Sequence, residues 1–132
     1  MRSVLSAVLA LLVVSFALPV AAGDHTADSL ATVKAKVKQK SAVLLDVREK
    51  EEWDDGHLRD AKPLPLSRLR QGLKKETLTD LIPKQAIVYL HCASGQRCLA
   101  AAEVLKKMGY DARPLKEGYQ ALVKAGFPKA TK

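Results

Sequence analysis

The chain has 132 residues, with 22 lysines and arginines against 14 aspartates and glutamates, so its formal charge is +8 and its length suits one domain. A basic excess draws in small anions, but the lysines are scattered along helical stretches and aromatics make up only 5%, which argues against a nucleic-acid partner. Its three histidines and two cysteines fall at no ligand-like spacing with acids, so neither a metal nor another cofactor is expected.

Met1-Arg2 gives a basic start, residues 4–18 are almost wholly apolar, and Pro19-Val20-Ala21-Ala22 ends in small residues. This reads as a secretory signal peptide over 1–22, cleaved after Ala22. The apolar run is shorter than the roughly 20 residues a spanning helix needs, so no stable membrane insertion is expected after cleavage. The mature domain, 23–132, keeps a charge of +7, since only Arg2 is lost. Its expected destination is the bacterial periplasm.

Thr26 can cap a first helix through Asp28, Leu30, Val33 and Val37, whose apolar members share one face. Ala42-Val43-Leu44-Leu45 is a continuous apolar run, as in a parallel strand buried on both faces. Glu49 to Asp55 predicts a short helix closed by Gly56, with Trp53 as an aromatic core anchor. Pro63 and Pro65 limit any strand over 61–66 to a short edge. Two short helical pieces follow over 67–75 and 76–81, stopped by Pro83. The clearest strand is Ala86 to His91. From Arg97 to Met108 the positions Cys98, Ala101, Ala102, Leu105 and Met108 form one apolar helical stripe, and Gly109 ends it. A weak strand over 112–115 and a helix over 118–124 complete the pattern. Strands alternating with helices predict an α/β fold around a mostly parallel sheet.

The chemistry concentrates in His91-Cys92-Ala93-Ser94-Gly95-Gln96-Arg97-Cys98. Cys92 ends a buried strand, a polar turn follows, and a helix starts just beyond. Ligands of open α/β sheets bind at that edge. Loop amides and a helix N-terminus there can hold an anion, and a thiol in the same field has a lowered pKa. Cys92 is therefore the candidate nucleophile, with Ala93, Ser94, Gly95, Gln96 and Arg97 as the anion-binding loop. An arginine in a first helical turn runs against the dipole, which points to a role in the loop. Asp46 and Arg48 are expected to brace neighbouring loops. Cys98 has two readings. On the apolar stripe it is a buried, inert thiol. In an exported protein it could instead be a resolving thiol that forms a disulfide with Cys92.

Four segments in order resemble the single-domain rhodaneses, and among them the small exported phage-shock type. Leu44-Leu45-Asp46-Val47-Arg48-Glu49-Lys50-Glu51-Glu52-Trp53 is similar to the family's opening motif, and Gly56-His57-Leu58 with Ala61 to its following turn. Cys92 to Arg97 matches its C-x4-R active loop, and Met108-Gly109-Tyr110 with Glu117-Gly118-Tyr119 its closing signature. Arg59-Asp60, Glu117 and Cys98 depart from the usual pattern. The resemblance implies a single rhodanese-like domain and a sulfurtransferase. Sulfur would pass from a small anionic donor such as thiosulfate, through a Cys92 persulfide, to cyanide or a thiol. No protein partner is indicated. Two alternatives stand beside it. Cysteine phosphatases and arsenate reductases of the same fold also bind oxyanions, but with a C-x5-R loop that is one residue longer. A non-catalytic redox or sulfur-binding module would use Cys92 and Cys98 together.

Overall fold

A computed structural model describes residues 23–131; the expected signal peptide lies outside the described residues. The elements run α1 (Leu30–Lys38), β1 (Ala42–Asp46), α2 (Lys50–Asp55), β2 (Ala61–Pro63), α3 (Leu66–Arg70), α4 (Lys75–Leu81), β3 (Ile87–His91), α5 (Arg97–Lys107), β4 (Asp111–Pro114) and α6 (Tyr119–Lys124). The four strands form one parallel sheet in the order β2-β1-β3-β4.

The two apolar runs occupy the centre of this sheet because both of their faces are covered. Successive strand residues face opposite ways. Leu45, Val88 and Leu90 therefore pack towards α3, α4 and α5, with Leu69, Leu78, Ala101 and Leu105. Leu44 and Tyr89 pack towards α1 and α6, with Val33, Leu115, Leu122 and Phe127. Each such leucine, fully buried, stabilises the fold by about 1.5–3 kcal/mol before the entropy of ordering is counted. The proline-containing β2 is short and sits at the edge, as its sequence requires.

Two expectations are corrected. The first helix starts at Leu30 and is capped by Ser29, whose Oγ accepts from the Thr32 N–H at 3.2 Å. Thr26 is not its cap: its own N–H donates to the Pro114 carbonyl at 2.8 Å, which ties this segment to the end of β4. Trp53 is not a core anchor. No residue of α2 is buried, and the indole instead stacks on His57, with ring centroids 3.6 Å apart. The helix is held by charge and capping. The Glu49 side chain takes the Glu52 N–H, and the Glu52 side chain takes the Glu49 N–H.

Candidate active site

Cys92 follows directly on β3 and is fully buried. The chain then turns through Ala93-Ser94-Gly95-Gln96 and enters α5 at Arg97. The Gly95 N–H donates to the Cys92 sulfur at 3.2 Å. Gly95 has φ +84°, and a Cβ there would lie 2.5 Å from the Lys116 carbonyl oxygen, so no other residue fits without moving backbone. These groups hold the Cys92 thiol far below its ordinary range, at about 5. The neighbouring Cys98 thiol is the largest cause, and the amides of Cys98, Ser94 and Gly95 add to it against the opposing effect of burial. Cys98 is pushed the other way, by the same Cys92 sulfur and by burial. Between them the two sulfurs hold one proton at neutral pH, and Cys98 keeps it.

Both cysteines are free thiols. Cys98 lies in the core beside Ala101 and Ala102, and its sulfur is 3.2 Å from the Gly95 carbonyl oxygen and 3.3 Å from that of Leu115. A thiolate near pH 5 beside a thiol that stays protonated has a direct consequence. Alkylation of the native protein by iodoacetamide should occur at Cys92 alone, with a rate half-maximal near pH 5. Peptide mapping across a pH series checks this; a midpoint near 8.5, the ordinary thiol value, would mean that the loop does not stabilise the anion.

Arg97 does not project as a free cation. Its two terminal nitrogens donate to the Glu52 carboxylate at 2.6 and 2.8 Å, and this fork holds the carboxyl down at about 2. The unfavourable position at a helix N-terminus is thereby offset, and α2 is tied to the start of α5. Ala93, Ser94 and Gln96 are exposed, so the rim of the loop faces solvent while the sulfur sits beneath it.

Below the loop, Asp46 and Arg48 form the brace expected of them. The Asp46 carboxylate accepts from the Arg48 backbone N–H at 3.0 Å and from its guanidinium at 2.8–3.1 Å. The same guanidinium donates to the Gly56 carbonyl at 2.7 Å and lies over the Tyr119 ring. His91 is wholly buried with Nε2 3.7 Å from Asp46, and burial lowers its pKa, so it stays neutral. From the other side, the Tyr119 N–H donates to the Cys92 carbonyl at 2.8 Å. Gly118 lets α6 approach: a Cβ there would press into the Ala93 carbonyl.

Three contributors were not singled out in the sequence. Glu52 could have been found by asking which acid neutralises Arg97. Gly118 stands in the closing signature, but nothing local shows that its missing side chain makes room for the Ala93 carbonyl. His25, whose Nε2 is 2.6 Å from the Gly95 carbonyl oxygen, gives no local signal, because 70 residues separate the partners. Among the described residues no cluster of histidines, cysteines and acids is arranged to hold a metal ion.

A family model for the rhodanese-like domain matches residues 29–125. The uncharacterized protein YqhL of Bacillus subtilis is 41% identical over 70 residues, 53% of this chain and 51% of that protein. A putative mitochondrial thiosulfate sulfurtransferase of Schizosaccharomyces pombe is 31% identical over 84 residues, 58% of this chain and 59% of that protein. The chain thus spans a little over half the length of these curated relatives. Among solved structures, the human single-domain sulfurtransferase TSTD1 matches with a TM-score of 0.65 and 24% identity, over 77% of this chain and 97% of its own. At that identity the likeness is one of fold. The family model spans most of the described residues, including both halves of the sheet and the whole cysteine loop, and on that match the chain belongs to the rhodanese-like domain family.

Proposed function

We propose that this chain is a thiosulfate-type sulfurtransferase acting through a Cys92 persulfide. The observation that carries the reading is a buried sulfur, ionised near pH 5, at the base of a loop whose amides converge on it. The Cys92 thiolate attacks the outer sulfur of thiosulfate. A new S–S bond forms to Cys92, the bond between the two donor sulfurs breaks, and sulfite leaves with that electron pair. The terminal persulfide sulfur carries the negative charge into the amide-lined loop. Cyanide, or a thiolate in the cell, then attacks it; thiocyanate or a new persulfide departs, and the Cys92 thiolate is regenerated. The two half-reactions balance without an external oxidant or reductant, as covalent catalysis by an activated thiol requires. The C-x4-R spacing favours this over phosphatase chemistry, whose loops are one residue longer. The putative thiosulfate sulfurtransferase of fission yeast supports the choice of donor by similarity.

Intact mass spectrometry of the exported protein, purified without reductant, tests the proposal. Thiosulfate should add the mass of one sulfur atom, and cyanide should remove it. The same spectrum reads the expected start at Gly23, the mark of a periplasmic protein freed of its signal. It also shows whether Cys92 and Cys98 have lost their hydrogens to a disulfide. No sulfur adduct on reduced protein at any thiosulfate concentration would overturn the sulfurtransferase reading.

A further inference from the structure

The residues just before α1 lie against β3 and β4 and reach the cysteine loop. They are fixed at two points. The Thr26 N–H donates to the Pro114 carbonyl at 2.8 Å, and the Asp28 carboxylate accepts from the Tyr89 hydroxyl at 2.6 Å and from Arg113 at 2.8 Å. Between these anchors and the N-terminal side, the half-buried His25 places Nε2 2.6 Å from the Gly95 carbonyl oxygen. A carbonyl only accepts, so Nε2 carries the proton.

The contact matters because of what it holds. Gly95 sits at φ +84° and gives its own N–H to the Cys92 sulfur at 3.2 Å, so a restraint on its carbonyl bears on the residue that supplies this donor. A trans peptide is planar, with N–H and C=O pointing in opposite directions. Fixing the Gly95 carbonyl against His25 therefore also fixes the Gln96 N–H, which faces away from His25. The other donor to that carbonyl is the Cys98 S–H at 3.2 Å, and a thiol is a weak donor. The imidazole makes the shorter bond, from outside the loop.

We propose that His25 is a positioning residue for the cysteine loop: it locks the Gly95–Gln96 peptide so that the loop amides stay aimed at the Cys92 sulfur and at the anion bound above it. The histidine does not touch the reacting atoms. It acts from a segment that lies before the stretch matched by the family model, residues 29–125. The turnover arm of its test rests on the sulfurtransferase reading; the alkylation arm does not.

The experiment compares wild type, His25→Ala and His25→Gln in the full-length chain, expressed with its leader. Each is alkylated in parallel with iodoacetate, an anion, and iodoacetamide, a neutral reagent of the same size class. Thiosulfate turnover and the thermal midpoint are measured alongside. Loss of one hydrogen bond corresponds to about a two- to twelvefold effect. His25→Ala should lower the iodoacetate-to-iodoacetamide rate ratio by that factor and raise KM for thiosulfate by a similar one, with kcat and the thermal midpoint little changed. His25→Gln, whose amide can donate, should recover most of both. The proposal is overturned if His25→Ala leaves the ratio and KM at wild-type values, or if both variants lose activity only in step with their thermal midpoints. A wild type that takes no sulfur from thiosulfate would reject the sulfurtransferase reading, and the reagent ratio would still decide the role of His25.

Discussion

Cys92→Ser is expected to abolish sulfur transfer while leaving a folded domain. A serine hydroxyl is not ionised at neutral pH and forms no persulfide, so neither half-reaction has a starting point. Serine is close to cysteine in size, and the Gly95 N–H that meets the sulfur can meet an oxygen. The effect on stability should depend on pH. In the folded protein the Cys92 thiol ionises near pH 5, whereas in the unfolded chain an ordinary cysteine ionises near 8.5. A lowered folded-state pKa contributes stability that is fully present above the unfolded pKa and is lost as pH falls towards the folded one. The stability of wild type relative to Cys92→Ser should therefore be greatest above about pH 8.5 and decline steadily down to about pH 5. Urea unfolding of both proteins across that range, with thiosulfate turnover at each pH, checks the two expectations. Turnover surviving in the serine protein would remove Cys92 from the mechanism. A pH-independent stability difference would mean that the thiolate is not stabilised by folding.

Gly118→Ala should damage both the fold and the site, though it adds only a methyl group. The backbone of Gly118 is ordinary, with φ −82°, so the difficulty is space and not conformation. The added Cβ would press into the Ala93 carbonyl, 2.5 Å from its carbon and 3.1 Å from the Ser94 nitrogen. These are backbone atoms and cannot swing aside as the end of a side chain would. Relief must come from moving α6 or the cysteine loop, and the 2.8 Å bond from the Tyr119 N–H to the Cys92 carbonyl couples the two. Overpacking of this kind costs about 1–3 kcal/mol, occasionally more. A displacement of the loop by about 1 Å is enough to lower turnover by about a hundredfold. Thermal unfolding and thiosulfate kinetics on the alanine variant check the pair of effects. Wild-type turnover in Gly118→Ala would mean that the loop tolerates a shift the geometry does not accommodate.

The sheet was legible because its signals are local and continuous. Residues 42–45 and 86–90 are apolar without interruption, as parallel strands buried on both faces require. The prolines at 63 and 65 assigned the edge. The cysteine loop was legible for the same reason: strand end, glycine turn and helix start are consecutive. What escaped depends on partners far away in sequence. Ser29 and Thr26 are both competent caps, and the choice fell to Ser29 because Thr26 is drawn onto Pro114. Trp53 has the character of a core residue, but its helix docks through charged contacts and leaves the indole to stack on His57. Arg97 was marked by its unfavourable place at a helix start, yet nothing nearby named Glu52 as its counter-ion. The sequence leaves both readings of Cys98 open, because the Gly95 and Leu115 carbonyls beside its sulfur are placed by the loop and by a segment 17 residues away; thiol counting on protein purified without reductant decides between them.

The all-parallel sheet also sets the order in which this molecule can assemble. Leu44 pairs with Tyr89 and Leu45 with Leu90, so the central strand pair closes a loop of about 45 residues before it gains anything. Such non-local pairings make the search slow compared with that of a helical bundle of the same size. The sulfur's setting depends on this step, because Cys92 follows β3 and the Gly95 turn that donates to it packs against the Lys116 carbonyl beyond β4. The reactive thiolate is thus a late product of folding. An alkylating probe at pH 6 would ignore the nascent chain and label only completed molecules. The sulfur serves as a built-in clock for folding, and a chain still open carries no reactive thiolate to be spent before it closes.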